Sequence, residues 1–136
     1  MSARGKSRKR ALDVLFESEL RGLQLDGTLQ QRLDAGEPPV NDYTVALVRG
    51  VVEHREQIDG LITTYAEGWS LDRMPAVDRN ALRIGIYELL HVEDVPDAVA
   101  VSEAVGLVQD LSTDESPAFV NGVLSTVLRN KASLGS

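Results

Sequence analysis

The stretch "SLDRMPAVDRNALRIGIYELLH", residues 70–91, decides the fold. Val77, Ala81, Leu82, Ile84, Gly85, Tyr87, Leu89 and Leu90 wrap most of a helical circumference. A helix that is apolar on most sides is buried on most sides, so the segment reads as the central helix of a bundle. Pro75 fits its first turn, where a missing N–H is harmless. Pro96 breaks the chain after it.

The flanking segments supply helices to surround it. In "DAVAVSEAVGLVQDL", residues 97–111, Val101, Ala104, Val105, Val108 and Leu111 share one stripe, over a span too long for a typical strand. "STDESPAFVNGVLSTVLRN", residues 112–130, opens with Ser112 and Glu115 in capping-box spacing and presents Phe119, Val120, Val123, Leu124, Val127 and Leu128. Upstream, Ile58, Leu61, Ile62 and Tyr65 form one apolar face, and Tyr43, Leu47, Val48, Val51 and Val52 another, capped by Asn41 or Asp42. Pro38 and Pro39 mark the least structured interior stretch. A short helix is expected at about Thr28–Asp34, and a first helix from about residue 6 to 24 on Leu12, Leu15, Phe16, Leu20 and Leu23. Strand alternation and fixed-period repeats are absent. The expected fold is all-α: a single domain over residues 1–136, with about seven helices in two packed sub-bundles, roughly 1–67 and 70–136.

Charge is distributed unevenly. Arg4, Lys6, Arg8, Lys9 and Arg10 place five cations and no acid in residues 1–10. Residues 11–136 hold nine basic against 21 acidic residues, a net charge of −12. Such a basic start is either a solvated tail or an arm that attracts phosphate locally while the acidic body repels it at long range. The chain has no cysteine, which excludes disulfides, thiolate metal sites and cysteine nucleophiles. No apolar run approaches the ~20 residues of a membrane span, and no secretory signal pattern opens the chain. A cytoplasmic protein with no membrane partner is the simplest expectation.

The residues do not assemble a catalytic site. Gly5-Lys6-Ser7 resembles the end of a phosphate-binding loop but lacks the earlier glycine and the preceding strand. His91-Val92-Glu93 resembles half of a zinc deaminase signature whose paired cysteines are missing. His54 and His91 have no ligand-like spacing around them, and the acids at 114–115 suit a helix start. No nucleophile, base and oxyanion site come together. The expectation is a non-enzyme with no metal and no cofactor.

The strings "ALRIGIYELL" at 81–90, "DVP" at 94–96, "SEAV" at 102–105 and "FVNGVL" at 119–124 follow in one order, and "RALDVLF" at 10–16 follows the basic start. In that order and spacing, over nearly the whole chain, the sequence resembles the NusB family of bacterial transcription antitermination factors. The resemblance implies a seven-helix, two-bundle fold. It implies binding of single-stranded boxA RNA in ribosomal RNA leaders, together with NusE, a small-subunit ribosomal protein. The complex then helps RNA polymerase read through terminators.

The resemblance also implies residues. Arg4, Lys6, Arg8, Lys9 and Arg10 match the RNA-contacting start of the family. Arginine pairs phosphate in two-point geometry and lysine acts as a point charge. Phe16 matches an aromatic position on the first helix; it either packs in the core or stacks on a splayed base. Phe119 matches a binding-surface position, where Ala118 replaces the basic residue that often precedes it in relatives. Asp78 matches an acidic position facing NusE, and is otherwise a solvated acid at a helix start. Asn121, among apolar neighbours in sequence, is expected to be buried and hydrogen-bonded. Two further readings remain open: a homodimeric scaffold whose surface is self-occluded, and an accessory domain for an RNA methyltransferase. With no cofactor-binding βα pattern in the chain, the latter requires a separate catalytic partner. Residues 1–10 read as a separable arm, because the apolar stripe begins at Ala11–Leu12.

Overall fold

The computed structural model describes residues 2–134 and is all-helical over them. Eight helices occur among the described residues: α1 (Ala3–Leu20), α2 (Gly27–Ala35), α3 (Asp42–Glu53), α4 (Arg55–Tyr65), α5 (Ala76–His91), α6 (Asp97–Leu111), α7 (Ser116–Arg129) and the short α8 (Lys131–Leu134). They group into two compact units divided between Glu53 and His54. The sequence pattern places the division near residues 67–70; in the structure α4 groups with the later helices because it packs on α5 and α7.

In the first unit α1 packs on α3 and α2. Its buried positions are Gly5, Ser7, Arg8, Ala11, Leu12, Val14, Leu15 and Ser18, which lie on one side of the helix at 100° per residue. This face differs from the expected stripe: Phe16 and Leu20 point outward, with 36% and 74% exposure. The small polar residues take buried places because each finds a partner. Ser18 Oγ accepts from the Thr28 backbone N–H at 3.0 Å and so satisfies a free donor at the start of α2. The Ser7 hydroxyl donates to Asn41 Oδ1 at 2.9 Å. Helix α1 also starts earlier than the apolar pattern indicates, since Ser2 Oγ caps it by accepting from Gly5 N at 2.9 Å.

In the second unit α5 is buried along most of its length, as its composition requires, and packs on α4, α6 and α7. Gly85 sets the closeness of three helices. A Cβ there would lie 3.0 Å from Leu124 Cδ1 and 3.1 Å from Ala104 Cβ, tighter than ordinary contact. Arg83, 1% exposed, lies among these apolar surfaces. Its Nε and Nη2 donate to the two oxygens of Asp59 at 2.8 and 3.1 Å, and Nη1 donates to Asn80 Oδ1 at 2.9 Å. Asn80 Nδ2 in turn donates to the Ala76 carbonyl at 3.0 Å. Arg83→Ala is expected to lower unfolding free energy by about 3 kcal/mol, because it removes the fork to Asp59, which keeps only its bond from the exposed Arg55 at 3.3 Å, and leaves a cavity in the packed interior. Urea unfolding followed by circular dichroism measures this.

Candidate nucleic-acid interface

The basic start is not a free arm. All five cations lie within α1, and the helix separates them. Lys6, Lys9 and Arg10 are exposed. Arg4 is half-buried, its guanidinium carbon 4.3 Å from the centre of the Tyr43 ring. Arg8 is only 4% exposed and cannot present its charge to a phosphate without leaving the interior. The burial of Ser7 and Arg8 also means that residues 1–10 are not separable from the fold.

The solvent-facing side of α1 carries Lys6, Lys9, Arg10, Asp13, Phe16 and Leu20 in order. Lys9 Nζ is 3.9 Å from Asp13 Oδ2, an exposed pair worth little in water. Phe16 stands on this same side, so the alternative that it packs in the core is overturned. Lys6 and Phe16 are ten residues apart, or about 15 Å along the axis. Three unburied cations followed by an exposed ring form a surface that can neutralise phosphates and stack a base.

The second unit holds another aromatic site. Trp69 and Phe119 approach with ring centres 6.2 Å apart and planes tilted by 53°. They line a cleft of ≈210 Å³ together with Pro75, Thr113 and Glu115, with Asp78 and Ser116 also in its wall. Trp69 comes from the 66–75 loop, which Arg79 ties to α5 by donating to the carbonyls of Leu71 and Met74 at 3.0 and 3.2 Å. A single tryptophan in a polar loop was the sequence signal for this site.

Asp78 is 2% exposed, which corrects its reading as a solvated acid at a helix start. The Ser112 hydroxyl donates to its Oδ1 at 2.7 Å and the Ser116 hydroxyl to its Oδ2 at 2.8 Å. Asp78 therefore fixes the α6–α7 turn, and with it the start of α7 that carries Phe119. Ser112 spends its hydroxyl there rather than in the expected capping box, and α7 begins at Ser116 with no side-chain cap. Asn121 is exposed, not buried; its apolar sequence neighbours Val120 and Val123 turn inward while it faces solvent. Ala118 is exposed beside Phe119 and adds no charge.

The two histidines, distant in sequence, stack at 3.7 Å with planes 15° apart, and His91 Nε2 lies 2.7 Å from Gln57 Oε1. No cluster of three or more metal-ligating side chains occurs among the described residues. No helix among them is long and apolar enough to cross a membrane.

The sequence profile of the NusB family matches residues 5–129. The chain is 64% identical over 134 residues to the transcription antitermination protein NusB of a Nocardioides species, covering 98% of this chain and 99% of the relative. Its fold is similar to that of T. maritima NusB, with a TM-score of 0.84, 34% identity and coverage of 96% and 94% of the two chains. It is also similar to a chain in the crystal structure of antitermination factors NusB and NusE in complex with double-stranded RNA. There the TM-score is 0.78 and the identity 31%, over 93% of this chain and 96% of that one. The helical architecture, the matched profile and the near full-length identity place this chain in the NusB family.

Proposed function

We propose that this chain is a cytoplasmic, non-catalytic antitermination factor. With NusE it holds the boxA element of ribosomal RNA leaders and promotes read-through by RNA polymerase. The observation that carries the reading is the strip on α1, where Lys6, Lys9 and Arg10 lead to the outward Phe16 ring. The cations pair phosphates, and Phe16 stacks a base. Phe119, beside Trp69, offers a second aromatic surface in the other unit.

Charge supports two partners of different kinds. Residues 1–53 hold eight basic and eight acidic residues, whereas residues 54–136 hold six and thirteen, a net −7. An acidic unit suits a basic ribosomal protein. Asp78 serves NusE binding indirectly, by holding the α6–α7 turn, rather than by meeting the partner itself.

The test is RNA affinity across a salt series, with and without NusE. Single-strand counterion release gives a log-affinity slope of roughly −0.7 per neutralised phosphate, so three exposed cations predict a slope near −2 for this chain alone. NusE should tighten binding and steepen the slope. Absence of boxA binding in both forms overturns the reading. Phe16→Ala should leave the thermal midpoint nearly unchanged and weaken RNA binding about tenfold, the loss of one stacked base. Equal affinity removes the ring from the interface. Asp78→Ala should cost about 2 kcal/mol in urea unfolding, because two hydroxyls lose their acceptor. An Asp78→Ala protein of parental stability that loses NusE binding would restore the direct-contact role.

A further inference from the structure

The 66–75 loop and the α6–α7 turn meet at one small cleft, whose apolar walls are Trp69, Pro75 and Phe119. Trp69 is 45% exposed, although it stands against Phe119 at 6.2 Å. Ring surface left open in a concavity marks a binding groove. At ≈210 Å³ the cleft is smaller than the pockets that enclose drug-sized ligands, roughly 300–1,000 Å³, and it suits a single side chain.

The charge around it is of one sign. The two segments that form it expose Glu67, Asp72, Asp114 and Glu115 against one cation, Arg73. Glu115 lines the cleft itself, and no Lys, Arg or His does so among the described residues. Asp78 in the wall is already engaged by two serine hydroxyls, so Glu115 is the acid open to a visitor. The faces of the two rings are also electrostatically negative. A nucleotide stacked here would bring its phosphate among these acids, and an aliphatic side chain would leave Glu115 unused. The complement is a flat cation. A guanidinium stacks on a ring face and donates in a fork to a carboxylate.

We propose that this cleft receives an arginine side chain of a basic protein partner, its guanidinium stacked against Trp69 and Phe119 and donating to the Glu115 carboxylate. The proposal rests on the reading that this chain pairs with NusE, and it names the chemistry of one contact in that pairing. Phe119 then serves the protein partner and not a nucleobase. Arg79 holds the loop and Asp78 holds the turn before any partner arrives, so the two walls lose little freedom on binding.

Trp69 is the only tryptophan of the chain, so its emission reports directly on the cleft. NusE and boxA RNA are titrated separately against the protein, with the emission of NusE alone subtracted and affinities taken from calorimetry. NusE should shift the emission to shorter wavelength, and RNA alone should leave it unchanged. Glu115→Gln removes the charge at constant shape, and the Glu115 side chain caps no backbone group, so the fold is retained. This variant should bind NusE about tenfold more weakly and bind RNA no more weakly than the parent. Trp69→Leu keeps an apolar wall without the ring and should cost a similar factor. Trp69→Phe should fall between it and the parent, because the smaller ring attracts a cation less. Parental NusE affinity in Glu115→Gln overturns the cationic occupant, whatever Trp69→Leu does, and leaves an apolar side chain in its place. NusE binding with unchanged Trp69 emission overturns the site. Quenching of Trp69 by RNA alone assigns the cleft to a base and overturns it as well. Failure of the parent to bind NusE overturns the pairing reading instead.

Discussion

The Arg83 guanidinium is the constraint on which the second unit depends. A cation taken out of water is tolerated only when its N–H groups meet acceptors. Asp59 on α4 receives two of them in a fork and Asn80 a third. An apolar replacement of such a group can be equally stable, so its value here is geometric. Asp59 must face Arg83, which fixes the rotation and register of α4 against α5. The loop between those helices inherits that position. Arg79 holds the loop from the α5 side, and Trp69 thereby comes to rest against Phe119. Gly85, two residues beyond Arg83, lets α6 and α7 close on the opposite flank, so one helix sets the placement of three others.

What was legible in the sequence follows from which signals are local. Helix α5 could be read because apolar residues on every side leave no other place for it. Helix α1 was legible as a helix but not in its facing. At 100° per residue Phe16 lies only 40° from Leu12, and hydropathy does not separate them. Burial there is decided by Ser7 and Ser18, whose partners Asn41 and Thr28 lie on other segments. The burial of Asp78 is hidden from the sequence for the same reason. A charged residue is exposed unless partnered, and the partners of Asp78 are 34 and 38 residues away. Asn121 is the converse, an exposed amide made to look buried by neighbours that face the other way.

These placements change what the basic segment is. A count of five cations describes an electrostatic cloud, whereas the structure divides them by task. Arg8 belongs to the interior and Arg4 covers Tyr43. Lys9 shares its field with Asp13. Lys6 and Arg10 remain as a pair at one cavity. The acidic excess lies in residues 54–136, whereas basic and acidic residues balance in residues 1–53.

A disordered basic tail would lose conformational freedom on binding, at a cost in affinity for each ordered residue. Here that ordering is done in advance. The Ser2 cap starts the helix, and the Ser7–Asn41 bond secures it to the turn before α3. The cations are then held at a spacing of about 6 Å along the axis, four residues at 1.5 Å each. In the free protein the exposed Lys6 and Arg10 repel each other weakly at this four-residue spacing. An anion between them removes that repulsion at the moment it binds. A ligand of negative charge therefore meets cations whose backbone is already ordered, and less freedom is lost on binding.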